Sequence, residues 1–375
     1  MKNRGGRREF LWIAGAGAAA LAGGLMPVRR SLAQASSKLT IGYLPVNVDL
    51  PTFKEVVELW KTEGLNIELY RAQGGPAILQ ALASGDVPVG DVGMAPAVVA
   101  ATRGLPFYYL TLSAVSTPKF PLDRIMVLPD SPIKKFEDLK GKTLAINQIG
   151  TMPDASLSAA HKTFGISKAD IKLVPIPYPN MPQVLEQKQV DAIFPFPPAD
   201  AVAEVRNNAR TVIDATALIP YLGYTTIAVR RDFADANPDT VKRIIKGTIK
   251  GQRWITDNID KARDSTNEFL QIPPDVRSKV RMAYFTRNGL SVLANAWHVY
   301  YVMLEGNIIK PPDDPAKMMN EYFVEPAKKF VLPALAEIGM QPDPVIKEML
   351  RGAYPLLPKP AESYHTEWDK ELLKL

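Results

Sequence analysis

The sequence predicts an α/β protein of two lobes, each a mainly parallel sheet flanked by helices, with a helical extension at the C-terminus. Three observations carry this. Short β-type runs alternate with helical patterns from about residue 39 to residue 230. Two segments, Gly74-Gly75-Pro76 and Gly150-Thr151-Met152-Pro153, repeat one device, a small-residue turn followed by a Pro in the first turn of a helix. Finally, Ser-, Pro- and aromatic-bearing crossovers near 113–121 and 217–224 divide the alternation into halves.

The first 35 residues read as an address rather than part of the fold. Arg7-Arg8-Glu9-Phe10-Leu11 matches a twin-arginine export pattern, with Gly6 where Ser or Thr is usual. Leu11 to Met26 is apolar but too short and too weakly hydrophobic for a stable transmembrane anchor. Ala33-Gln34-Ala35 supplies a small-x-small cleavage site, which puts the mature start at Ser36. The leader also explains the basic charge. Six of the 45 Lys and Arg and one of the 39 Asp and Glu lie in it, so the mature chain carries 39 against 38. A net charge near +1 gives no warrant for nucleic-acid binding. The chain has no Cys, which excludes disulfides, a lipoprotein anchor, thiolate metal sites and a Cys nucleophile.

In chain order, Leu39 to Tyr43 alternates as the first strand, and Pro45 and Asn47 follow it in a loop. Phe53, Val56, Val57 and Trp60 mark the apolar face of the first helix, and Asn66 to Tyr70 the second strand. Gly74 and Gly75 permit positive φ and close backbone approach. Pro76 then opens a helix that buries Ile78, Leu79 and Leu82. Val87 to Val92 suits a buried parallel strand, after which Gly93-Met94-Ala95-Pro96 starts another helix. Leu105 to Leu112 is a strand, Ser113 opens the crossover, and Arg124 to Leu128 begins the second lobe.

Gly141 closes a short helix, and Thr143 to Asn147 forms a strand leading into Gln148, Gly150 and Thr151. Thr151 is placed to cap the next helix, and Asp154 to offset its positive end. Val174 to Met181 is a loop with three prolines, followed by a helix over 183–189 and a strand over 190–194. Strand alternation is expected to turn only one of Phe194 and Phe196, taken as Phe196, toward a ligand. Tyr224 precedes the strand Thr225 to Val229 that returns the chain to lobe one. A long helix starts at Pro238, where Gly247 and Gly251 read as close-packing positions. Trp297, Tyr300 and Tyr301 read as core.

The stretch Ala72–Pro96, the phrase Leu128–Asn147 and the strand Val190–Phe194 together resemble periplasmic solute-binding proteins of the nitrate, taurine and aliphatic-sulfonate family. That family includes binders of the thiamine pyrimidine precursor, and its members serve ABC importers. The resemblance covers about Leu39 to Pro198 and extends more loosely beyond. It implies the type II periplasmic-binding-protein fold, with lobe one from 36–116 and 223–300, lobe two from 117–222, and C-terminal helices over 301–375. It also implies a periplasmic monomer that closes on a small organic anion and docks on an inner-membrane permease. The alternative ligand is a pyrimidine-type heteroaromatic.

Taken together, the cleft loops nominate Pro45, Asn47, Gly74, Gly75, Ala95, Pro96, Ser113, Gln148, Gly150, Thr151, Phe196 and Tyr224 as ligand-binding residues. Lys119 is their nearest candidate cation. His161, His298 and His365 are scattered outside these loops, and no HExxH, P-loop, GxSxG or Cys/His spacing occurs. No cofactor, metal or catalytic residue is expected. A fungal-type pyrimidine synthase on this fold would need a cysteine-rich iron motif that this chain lacks.

Overall fold

Two five-stranded mixed sheets carry the site at their facing ends. The computed structural model describes residues 38–352, 357–364 and 366–374. The export pattern, the cleavage site and His365 lie outside them.

The first sheet is built from β1 (Leu39–Tyr43), β2 (Ile67–Arg71), β3 (Val89–Gly93), β4 (Phe107–Tyr109) and a late strand, Thr225–Arg230. Its order is β2-β1-β3, then the late strand, then β4. The first three strands are parallel, and the late strand runs antiparallel to both neighbours. Parallel strands need crossover helices. These are α1 (Lys54–Thr62), α2 (Gly75–Ser84) and α3 (Met94–Thr102). Gly85 ends α2 at φ +91°, a left-handed position that suits Gly.

The second sheet holds β6 (Arg124–Val127), β7 (Thr143–Ile146), β8 (Lys172–Pro175), β9 (Ala192–Ile193) and β10 (Arg210–Asp214), in the order β10-β6-β9-β7-β8. Its helices are α4 (Met152–Phe164), α5 (Met181–Glu186) and α6 (Ala199–Asn207). Between the sheets lies a small ribbon of β5 (Ala114–Ser116), β11 (Leu222–Gly223) and β13 (Tyr284–Phe285), so the late strand of the first sheet is β12. β5 and β11 are segments of the two expected crossovers, hydrogen-bonded to each other. No sequence pattern announces them, because two or three residues are too few to show a period.

After β12 come α7 (Arg231–Ala236), α8 (Pro238–Asp257), α9 (Ile259–Phe269), α10 (Pro274–Arg277) and α11 (Leu293–Glu305). Helix α8 packs on α1 where its glycines lie. A Cβ on Gly247 would come 2.4 Å from Trp60 Cδ1, and one on Gly251 would come 2.8 Å from Val56 Cγ1. Trp60 Nε1–H donates to Ile244 O at 3.2 Å and Thr248 Oγ1 at 3.1 Å, completing the contact. The Gly pair is therefore a packing device. α11 lies against both α3 and α4, and so touches helices of both sheets. Trp297, Tyr300 and Tyr301 form an aromatic cluster with Tyr364, in which Trp297 and Tyr300 are buried as core.

Some boundaries differ from the sequence reading. The expected strand 105–112 narrows to β4, although Leu110 and Leu112 stay buried, with their N–H groups donated to Ile227 O and Gly289 O. The helix expected at 183–189 starts earlier, at Met181, with Pro182 in its first turn.

Candidate functional site

Every parallel strand that faces the gap between the sheets ends in a loop that contributes to one partly open cavity of about 60 Å³. From the first sheet, the loop after β1 gives Leu44, Val46, Val48 and Asp49, the start of α2 gives Gly75, and the end of β3 gives Gly93 and Pro96. From the second sheet, the loop after β7 gives Asn147, Thr151 and Met152, that after β8 gives Tyr178, and that after β9 gives Phe196. Tyr224 and Thr225 close the wall at the start of β12. An open α/β sheet binds its ligand at the carboxyl ends of its strands, and here two such ends face each other. A larger outer cavity of about 520 Å³ adjoins it, sharing Leu44, Val46, Asn147 and Tyr178 and bounded by Arg71, Pro198 and Phe269 to Ile272.

Of the residues nominated from sequence, Gly75, Pro96, Thr151, Phe196 and Tyr224 meet on the inner cavity, and Pro45 lines the outer one. Gly74 and Gln148 touch each other across the gap. A Cβ on Gly74 would stand 2.4 Å from Gln148 Oε1. The others have different uses. Asn47 is buried with its Nδ2–H donated to Arg281 O, which turns it away from the cavity. Ala95 packs inside α3. Ser113 is buried in the seam between β12 and the ribbon, where its N–H donates to Thr225 O at 2.9 Å. Gly150 needs its left-handed φ of +80°, but its N–H donates to Asp154 Oδ2 at 2.9 Å and is not on offer to a ligand.

Three local expectations need correction. Gly74 and Gly75 do not have positive φ; Gly74 is extended at −173° and Gly75 begins a helix, so close approach alone explains them. Thr151 occupies the N-cap position without capping, because its hydroxyl donates to Gln148 O at 2.6 Å. Lys119 is not near the cavity; it is exposed and pairs with Glu348 at 3.4 Å. Asp154 sits in the first turn of α4 as expected, and a salt bridge to Lys168 at 2.7 Å satisfies it.

Phe196 is the ring that faces the cavity, while Phe194 is core. Alternation is not the cause, since residues two apart share a face of a continuous strand. β9 stops at Ile193, and Pro195 redirects the chain so that the two rings part. Phe196 stands between Tyr178 and Tyr224, with ring centroids 5.7 and 5.4 Å away. Tyr178 comes from the three-proline loop, whose composition signals irregular backbone but not a ring turned inward.

The electrostatics are dominated by buried acids. Asp49 is 2 % exposed and its Oδ2 accepts from Leu44 N–H at 2.6 Å. Burial, and then the neighbouring Asp91, push its carboxyl well above the usual range. Asp91 lies on β3, where burial pushes it up to about 8; its Oδ2 accepts from Leu50 N–H at 2.8 Å. Asp123 is likewise pushed up to about 8 by burial and accepts from the Tyr224 hydroxyl. The nearby guanidinium groups are engaged elsewhere. Arg124 pairs with Asp200 at 2.9 Å and Glu204 at 2.7 Å, and Arg281 pairs with Asp214. Among the described residues, no Lys, Arg or His lines the inner cavity, and no group of His, Asp and Glu has metal-site geometry. His161 lies on α4 and His298 is buried in α11, both off the cavity wall.

A family model described as NMT1/THI5 like matches residues 58–262. The taurine-binding periplasmic protein of Escherichia coli K12 is 30 % identical over 203 residues, which cover 53 % of this chain and 61 % of that protein, so the match spans under two thirds of the relative. Among solved structures, the alkanesulfonate-binding protein SsuA from Xanthomonas axonopodis pv. citri, bound to MOPS, superposes with a TM-score of 0.62. It is 19 % identical, and the match covers 79 % of this chain and 97 % of that one. The periplasmic nitrate-binding protein NrtA from Synechocystis PCC 6803 gives a TM-score of 0.67 at 12 % identity, covering 81 % and 89 %. At these identities the structural likenesses establish the two-lobed α/β fold.

Proposed function

Because the chain belongs to the NMT1/THI5-like family, we propose that it is the solute-binding component of an ABC importer, capturing a small organic solute between its lobes and handing it to an inner-membrane permease. The observation that carries this reading is the shared cavity where the strand ends of both sheets meet. A solute there touches both sheets, so its binding favours the closed arrangement over an open one. Moving an open-to-closed ratio from 1:99 to 99:1 takes about 5.5 kcal/mol of differential affinity. A micromolar ligand, bound with about 8 kcal/mol, can supply that.

The lobe division 36–116 with 223–300 against 117–222 belongs to this proposal, with the ribbon of β5, β11 and β13 as the hinge. So do the monomeric state and the periplasmic address. Arg7 and Arg8 motivate the twin-arginine route, and changing both to Lys should hold the precursor in the cytoplasm; undiminished export after that change would refute it. For the ligand, the names of the relatives support a sulfonate-, taurine- or nitrate-like anion. The Tyr178–Phe196–Tyr224 rings support a pyrimidine-type heteroaromatic as the second reading. An enzyme on the same fold is the rival from a different class, and turnover of a bound solute would favour it.

The test is a thermal-shift screen of the mature chain with sulfonates, nitrate, aromatic carboxylates, pyrimidines and organic ammonium compounds, joined to mass spectrometry of co-purified small molecules. A ligand that binds only the native state raises the melting temperature. No stabilising compound and no retained molecule would count against capture.

A further inference from the structure

The inner cavity presents acceptors on several sides. Asp49 is its one charged side chain, and among the described residues no salt bridge reaches it. Behind it, Asp91 is fully buried, its Oδ2 accepting from Leu50 N–H at 2.8 Å. On the facing wall Asn147 is 6 % exposed, and its Oδ1 is buried without a hydrogen bond. Tyr178, Phe196 and Tyr224 add their ring system to the lining. Aromatic faces carry negative quadrupole potential, and cations over them are attracted most where water is excluded. A buried carboxylate without a counter-ion is costly to ionise. The wall therefore offers an acid that only a cationic partner would favour in its ionised form.

We propose that the captured solute carries an organic ammonium group, primary or quaternary, seated on the Tyr178, Phe196 and Tyr224 rings with Asp49 as its counter-ion and Asn147 Oδ1 as a further acceptor. This rests on the capture reading and narrows it, since among the described residues no Lys, Arg or His lines the inner cavity to meet an acidic head. It also has a protonic consequence. The groups facing Asp49 are Asp91 from β3 and Tyr43 from β1, the latter beside Arg71 at the end of β2. Burial first, and then the neighbouring Asp91, raise the Asp49 carboxyl well above the usual carboxylate range, which favours its protonated form until a counter-ion arrives. An arriving ammonium favours the carboxylate, and that proton leaves to solvent.

Two matched pairs of probes test this on the mature chain. Taurine and 2-hydroxyethanesulfonate share a sulfonate, but only the first has an ammonium. Choline and 3,3-dimethylbutan-1-ol share a shape, but only the first is charged. In at least one pair the ammonium member should bind tenfold or more tightly. Its calorimetric heat should also differ between buffers of different ionisation enthalpy, reporting proton release. Asp49→Asn keeps the size and an acceptor for Leu44 N–H, and should abolish both the preference and the proton release. Phe196→Leu, should Asp49→Asn not fold, is expected to lower the preference of the choline pair at least threefold. Equal or tighter binding of the ammonium-free members overturns the inference and leaves capture standing, as does a preference that survives both variants. No binding by any of the four overturns the inference, and the broader screen above then decides separately whether capture stands.

Discussion

Gly74→Ala should weaken ligand binding without weakening the fold. Gly74 lies in the loop after β2, and Gln148 in the loop after β7, so the two belong to different sheets. The φ of −173° at Gly74 is extended backbone that Ala adopts freely, which removes backbone strain as an explanation. The added Cβ would meet Gln148 at 2.4 Å from Oε1, 2.9 Å from Cδ and 3.1 Å from Nε2. If the lobes open as proposed, that conflict exists only while the two sheets are together. The amide end of Gln148 is flexible, so the cost belongs at the lower end of the overpacking range, about 1–2 kcal/mol. Converted at about 1.4 kcal/mol per decade, this is roughly a 5- to 30-fold loss of affinity. Calorimetry with the tightest compound from the screen reads the loss, and urea denaturation of the ligand-free chain should show no matching destabilisation. Gln148→Ala removes the obstructing amide, so the double variant should recover most of the loss, a coupling of about 1 kcal/mol or more. Wild-type affinity in Gly74→Ala, or no recovery in the double variant, would refute the reasoning.

Two further outcomes concern stability. Gly247→Ala should lower the urea midpoint, because its Cβ would fall 2.4 Å from Trp60 Cδ1 and 3.1 Å from the Trp60 backbone. Overpacking of about 1–3 kcal/mol outweighs the roughly 1 kcal/mol that Ala gains over Gly in a helix, and an unchanged or raised midpoint would contradict this. The buried acids give a pH dependence of defined sign. Asp91 and Asp123 stand at about 8 in the folded chain, against 3.8 for an unperturbed Asp, so the native state holds protons that the unfolded chain has released. Their contribution is fully present below about pH 4 and is lost as pH rises to 8, each with a slope of at most about 1.4 kcal/mol per pH unit. Urea midpoints should therefore fall between pH 5 and pH 8.5, and Asp91→Asn with Asp123→Asn should flatten the trend. A midpoint that rises with pH would refute the assignment.

The order of strands and helices was legible because burial writes its period into the chain. Ile78, Leu79 and Leu82, or Val241, Ile244 and Ile245, declare their helix faces without tertiary information. The site was legible only where backbone chemistry marked it. Gly75, Pro96 and Thr151 sit at turns whose residue types are restricted, and all reach the cavity. Asn47 and Asp49 lie two residues apart in one loop, and nothing local says that Asp49 lines the cavity while Asn47 bonds to Arg281 O, 234 positions away. Tyr178 and Asn147 were missed for the same reason. The direction of a loop side chain is decided by partners remote in sequence, and no periodicity encodes them.

Under the proposed closure, the ribbon between the sheets would set how the lobes can move. β5 and β11, from the two crossovers, are laced together by antiparallel hydrogen bonds, and β13 is laced onto β5 from a segment far along the chain. Two free linkers would swivel in any direction. A three-stranded strip resists splaying but yields to rotation about its long axis, as a torsion bar does. If the lobes close as proposed, they turn about one axis with a restoring stiffness shared among those bonds. α11, packed on both α3 and α4, would then limit that rotation from behind. Substitutions at Tyr284 or Phe285, outside the walls of both cavities, would then retune affinity by changing the spring rather than the socket.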